Sequence, residues 1–142
     1  MTGTDTSTRL HLRRLVGAWQ VVRRIRHDDG AIASFDGICR WAWSDGALQA
    51  REVGLLTTGR VKVKAHRVTW WRTLGDMVQV TFENGRPFHL IAPEPMPSAT
   101  HNCMPDTYQI AYDFREWPTW TCRWRVDGPA KAYAATTTYR RF

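Results

Sequence analysis

The sequence contains no apolar run near the ~20 residues that a membrane-spanning helix requires, so a helical membrane anchor is not expected. From Met1 to Arg14 there is also no apolar stretch of the kind a secretory signal carries, and the expected location is the cytoplasm. Cysteine is scarce. Cys39, Cys103 and Cys122 form no CxxC pair, which argues against a disulfide framework and a zinc knuckle and leaves reduced thiols as the simplest reading. Glycine and proline are ordinary in number, 10 and 7 in 142 residues, so disorder is excluded everywhere but the ends. A long basic run is missing too: the net charge of +7 comes from Lys and Arg scattered along the chain, which favours acidic partners in general without naming one.

What is present is 43% hydrophobic and 23% charged residues, the composition of an ordinary globular protein with one sizeable core. Residues 1–8, small and polar, read as a flexible tail, and residues 9–142 as a single β-barrel domain. Thr8 is placed to cap a short helix over residues 9–16, with Leu10, Leu12 and Leu15 as its apolar positions and Gly17 as its end. From Gly17 onward the hydrophobic period becomes two, with β-branched and aromatic residues between turn signals: Asp28-Asp29-Gly30, Ser44-Asp45-Gly46, Thr58-Gly59, Leu74-Gly75-Asp76, Glu83-Asn84-Gly85 and Asp127-Gly128-Pro129. Turns this tight join antiparallel neighbours, so the expected fold is all-β: a single antiparallel up-and-down barrel of about nine strands with a short N-terminal helix. Residues 92–105, holding Pro93, Pro95, Pro97 and Pro105, read as an irregular loop over one mouth.

Alternation assigns side chains to faces. Trp19, Val21, Arg23 and Ile25 share one face of the first strand; Leu48 and Ala50 share one with Glu52; Val61, Val63 and Ala65 share one with Arg67 and Trp71. Further on, Asp106 and Tyr108 align with Ile110, Tyr112 and Phe114; in the next strand Trp120, Cys122, Trp124 and Val126 read as inward, with the alternative that Arg123, Arg125 and Asp127 face a polar lumen instead. An unpaired buried charge costs several kcal/mol, so inward Arg, Glu and Asp must pair with one another, with water or with a ligand. A purely structural network of Arg23, Glu52 and Arg67 that fixes strand register accounts for the same pattern equally well. Eight tryptophans are many for this length, and most are expected in the core or as barrel plugs rather than as ligand platforms.

The most concentrated polar chemistry lies in Gly85-Arg86-Pro87-Phe88-His89, in His101-Asn102-Cys103-Met104-Pro105-Asp106-Thr107-Tyr108, and in residues 124–133, which hold Trp124, Arg125, Lys131 and Tyr133. These motifs resemble the DUF6314 family, a bacterial and fungal domain of unknown function. The likeness runs from Gly17-Ala18-Trp19 with Arg23 and Ile25, through Glu52-Val53-Gly54, Arg67 and Val80-Thr81-Phe82, to the three polar clusters. It implies a calycin-like (lipocalin-like) barrel and a set of family-typical polar residues, with no established activity. Ala132 departs from the family pattern, which has an acidic residue between the Lys and the Tyr.

The expected function is therefore a small-molecule-binding barrel with a polar interior, Arg23, Arg67 and Arg125 holding an anionic or carbonyl-bearing metabolite and Glu52, Cys103, Trp124 and Tyr133 helping to line the site. If it is an enzyme, His89 or His101 exchanges a proton, Asp106 orients the imidazole, and Tyr108 or Lys131 polarises a substrate oxygen. A bland alternative has His101 and Asp106 tying the proline-rich segment to the rim. Neither a metal nor a cofactor is expected, since the His101, Cys103, Asp106 spacing matches no standard metal signature. Two other classes stay open: a nucleic-acid-binding module, disfavoured by the lack of a recognised motif, and a carrier of haem through His89 or His101, or of another hydrophobic ligand.

Overall fold

Period-two alternation between glycine-centred turns gives ten antiparallel strands in a computed structural model that describes residues 9–142. The polar tail and the Thr8 cap expected at the N-terminus lie outside the described residues. The strands are β1 (Gly17–His27), β2 (Ile32–Ser44), β3 (Ala47–Thr58), β4 (Val61–Leu74), β5 (Met77–Phe82), β6 (Pro87–Ile91), β7 (Ser98–Cys103), β8 (Asp106–Asp113), β9 (Trp120–Asp127) and β10 (Ala132–Arg141). Consecutive strands pair except β6 with β7, and β1 also pairs with β10, so that the first and last strands join and the edges of the sheet fall at β6 and β7. The result is a nearly closed up-and-down barrel of the calycin-like kind. At the Ser44-Asp45-Gly46-Ala47 turn both central residues take positive φ, 51° and 78°, a pairing that suits the right-handed twist of a hairpin and that Asp-Gly tolerates cheaply.

The count of ten rather than nine comes from residues 98–103, which form β7 inside the stretch expected to be irregular. The prolines do not prevent this because they flank the strand: Ser98–Cys103 contains none, and Pro97 and Pro105 stand on either side of it. Pro95 and Pro97 lack a donor but keep an acceptor: their carbonyls take bonds from Phe114 N and Tyr112 N, each 2.9 Å, and extend the β8 ladder. A second correction concerns the N-terminal helix, which shrinks to a single 3₁₀ turn at Leu12–Arg14 with no side-chain cap. Its three leucines are buried as expected, because they plug one end of the barrel.

An up-and-down chain alternates its turns between two ends. The 3₁₀ turn, the β2–β3, β4–β5 and β8–β9 connections and the proline-rich 92–97 segment gather at one end, the floor. So the proline segment does not lie over the mouth where the polar motifs are. Trp19, Trp41, Trp71 and Trp120 fill the floor with Phe114 and Tyr112, all nearly inaccessible. They meet largely edge to face, as Trp41 and Trp71 do at 4.9 Å and 78°, while Tyr139 stacks on Trp120 at 3.9 Å. Trp19 Nε1 donates to Leu15 O at 2.8 Å, and the Arg141 guanidinium lies 4.1 Å from the Trp19 ring, closing the last gap. Gly37 and Gly54 face each other across β2 and β3, each so close to the opposite backbone and to the Phe35 ring that a Cβ would overlap them. That close approach brings Phe35 down toward the middle layer.

Candidate functional site

The middle layer of the interior is ionic. Register sets Glu52 of β3 opposite Arg67 of β4, and Arg23 of β1 opposite Thr137 of β10. Arg23 and Glu52, 8% and 4% exposed, form a two-pronged pair, with Nη1 to Oε1 and Nη2 to Oε2 both at 3.0 Å. Arg23 Nε donates to Thr137 Oγ1 at 2.8 Å, and Glu52 Oε2 also accepts from the Tyr139 hydroxyl at 3.0 Å and from Arg67 Nη2 at 3.2 Å. Burial alone would raise the Glu52 carboxyl, but the Arg67 and Arg23 guanidiniums, with hydrogen bonds from Arg23 and Tyr139, hold it down at about 2. Burial likewise keeps Cys39 and Cys122 as thiols, Cys122 at about 11. A nucleophilic thiolate therefore has no footing here.

Arg67 differs from Arg23 in one respect. Its side chain is 36% exposed, because β5 pairs with β4 only from Thr69 to Leu74 and leaves the mouth-side half of β4 paired on its β3 side alone. The opening is a notch of about 620 Å³ between β4 and the β5–β6 turn, lined by His66, Arg67, Val68, Phe82, Glu83 and Asn84. Over both guanidiniums lies the Trp124 ring, 4.7 Å from Arg67 and 5.5 Å from Arg23, with Phe35 5.3 Å from Arg23 on another side.

Toward the mouth the lining is aromatic. Phe88 stacks on Phe82 at 4.4 Å and packs edge-on against His101 at 5.3 Å and Tyr108 at 5.9 Å. These rings, with His89 of β6 and Tyr112 of β8, bridge the seam between the edge strands, where no backbone ladder runs among the described residues. His89 Nε2 and the Tyr112 hydroxyl are 2.7 Å apart, and His89 Nδ1 is buried without a hydrogen-bond partner. Burial, reinforced by the positive fields of His101 and Arg67, lowers the His89 imidazole to about 3, so it is neutral at physiological pH.

Several residues expected at one site are thus separated. Arg23, Glu52 and Arg67 meet, with Trp124 against them. Asp106 does not orient an imidazole: it pairs with Lys131 at 3.3 Å on the rim, its carboxylate resting on Gly128, where a Cβ would collide with it. Tyr133 is half-buried nearby, 5.5 Å from the His27 ring. Arg125 leaves the anion-holding set altogether. It points outward from β9, where the inward position is taken by Trp124, and clasps Asp28 and Asp127 at 2.7 Å. Cys103 is exposed at the β7–β8 turn. Among the described residues no three His, Cys, Asp or Glu side chains converge as a metal site. Thr137, Tyr139 and the role of Tyr112 went unrecognised in the sequence, although alternation along 132–141 places Thr137 and Tyr139 on one face.

A barrel closed at one end by aromatic packing and carrying an ionic layer beneath an aromatic mouth defines the class of this protein as a calycin-like β-barrel. The chain belongs to the DUF6314 family, a family of unknown function whose model matches residues 15–141. No curated protein sequence matches it. Among solved structures it is similar to the S-type phycobiliprotein lyase CPES from Guillardia theta, with TM-score 0.64, 9% identity, and coverage of 92% of this chain and 90% of that one. It is also similar to a DUF3598-family protein of unknown function from Nostoc punctiforme, with TM-score 0.60, 11% identity, and coverage of 94% of this chain and 50% of that one. Both likenesses concern the fold. Among the described residues no helix is long and apolar enough to cross a membrane.

Proposed function

We propose that this barrel binds a small organic anion at its mouth, with Arg67 as the anchoring residue. One observation carries the reading: two guanidiniums share one carboxylate, leaving a positive charge over in a layer otherwise shut off from water. A network serving stability alone gains nothing from the second cation, since burying a charge without its counter-charge costs several kcal/mol. Arg67 is the member left open to the mouth, and its guanidinium stays charged because Glu52 raises it against the opposing effect of burial. An incoming carboxylate would complete the pairing in a two-pronged geometry that lysine could not offer. The Trp124, Phe82 and Tyr108 rings supply apolar walls for the rest of the molecule.

The test is a titration of the whole chain with a panel of small carboxylates at low salt, read by tryptophan fluorescence, for which Trp124 is the nearby reporter. Saturable binding is expected, weakened about tenfold or more by Arg67→Gln and unchanged by Arg125→Ala. Glu52 keeps Arg23 and Tyr139 in the Gln variant, so the fold should survive. Saturable binding indifferent to Arg67→Gln, or a panel in which nothing binds, overturns the proposal.

A further inference from the structure

The β3–β4 hairpin stands past the end of β5, and on β4 the residues that elsewhere would face a packed lumen face solvent instead. Val61 is 63% and Val63 48% exposed, although both lie on the same face of the strand as Ala65, Arg67 and Trp71. Opposite them on β3 are Thr58, Leu56 and Gly54, and on β2 beyond these Ala33, Phe35 and Gly37. Apart from Thr58 at the rim, this inner surface is apolar down to the ionic layer. It carries no charge until Glu52 and Arg67. The opposite face of the hairpin carries Lys62 and Lys64 on β4 beside exposed Val53 and Leu55 on β3, with Arg60 at the turn.

We infer that the anion held by Arg67 is a long-chain amphiphile, a fatty acid or an acid of that shape, whose carboxylate meets Arg67 and whose chain lies along Ala65, Val63 and Val61. The inference rests on the reading of Arg67 as the anion anchor and adds the class of ligand to it. From Arg67 to Val61 the strand rises about 20 Å at ~3.3 Å per residue, the reach of a long acyl chain. Bare valines on the lumen side of a strand are unexplained by folding, since exposed apolar side chains gain nothing there, whereas a chain laid along them would remove both surfaces from water. Charge complementarity fixes the orientation: the surplus cation is at the inner end of the ramp, and the basic rim attracts an acid toward it. A second copy of this chain laid on the ramp would bring another Arg60, Lys62 and Lys64 against the same basic rim, which charge disfavours.

The deciding experiment compares octanoate, dodecanoate and tetradecanoate, each below its micelle concentration, with dodecanol, on the whole chain and on Arg67→Gln, Val61→Asp and Val63→Asp. Both valines are exposed, so the aspartates leave the core untouched. Affinity should rise at least about tenfold from octanoate to tetradecanoate, as burial of added methylenes requires. Arg67→Gln should weaken all three acids by a similar factor and leave dodecanol unchanged. Val63→Asp and Val61→Asp should flatten the chain-length dependence while sparing octanoate. Acids that bind through Arg67 with no chain-length dependence would overturn the amphiphile inference and leave the anion site standing. Failure of every acid, short or long, removes the anion site itself. A chain that sediments as a dimer and becomes a monomer with Val63→Asp shows the ramp to be a self-association face, which also overturns the inference.

Discussion

Below the layer of Arg23, Glu52 and Arg67 the barrel is filled by tryptophan rings and sealed by three leucines; above it, aromatic rings and one guanidinium remain in reach of solvent. The strands are the same and alternate in the same way through both halves. What differs is the wall. At the floor the strands are paired except across the β6–β7 seam and the N-terminal segment adds a plug, so apolar side chains there are buried and stabilising. At the mouth β5 stops at Phe82, β4 runs on with only β3 beside it, and the residues of its inner face are left open. Stability is concentrated in one half of the barrel, and the other half is free to hold unbalanced charge.

Four substitutions and a fall in pH sharpen this contrast, beginning with the most damaging. Trp120→Ala removes the ring that touches Trp19, Trp41, Trp71, Tyr112, Phe114 and Tyr139, and should cost about 4 kcal/mol in urea unfolding. Glu52→Gln strips both guanidiniums of their counter-charge and should cost about 3 kcal/mol at pH 7 by the same measurement. If it proves neutral, the ionic layer is better hydrated than its burial indicates. Glu52 also sets an acid limit. Its carboxyl falls from an ordinary 4.5 to about 2 on folding, so its contribution is whole above pH 4.5 and disappears as pH drops from there toward 2.

His89 acts earlier in the same titration. Its folded value of about 3 is below its ordinary 6.5, so the neutral ring stabilises the fold above pH 6.5 and that contribution is lost as pH falls from 6.5 toward 3. Each unit of pH below 6.5 should cost roughly 1.4 kcal/mol until near pH 3. Urea midpoints at pH 7 and pH 5 check this, and in His89→Gln the difference between them should shrink accordingly. The smallest effect belongs to the outer rim, where Arg125→Ala should shift the melting temperature little and anion binding not at all, because the exposed cluster with Asp28 and Asp127 is screened by solvent.

Much of this contrast was legible beforehand. The alternation in 19–25, 48–52 and 61–71 put Arg23, Glu52 and Arg67 on inner faces before any strand was paired, and local turn chemistry marked the hairpins. The count of nine misses β7 because the prolines at 93, 95, 97 and 105 surround a stretch, Ser98–Cys103, that itself contains none. Asp106 and Arg125 lie near strand ends at the rim and take partners, Lys131 and Asp28, from turns that alternation says nothing about. Tyr112 could be placed on the inner face, but its link to His89 crosses the seam between edge strands, where no ladder relates the two positions.

By itself, then, the order of residues determined the meander and the inner-face positions of Arg23, Glu52 and Arg67, since each follows from local period and turn preference. Only the closed tertiary arrangement decided that Arg23 and Arg67 share a single carboxylate, that Asp106 belongs to Lys131, and that β4 outruns β5. Those outcomes depend on distances between strands far apart in the chain, and such distances exist only after the sheet has curled and β1 has found β10.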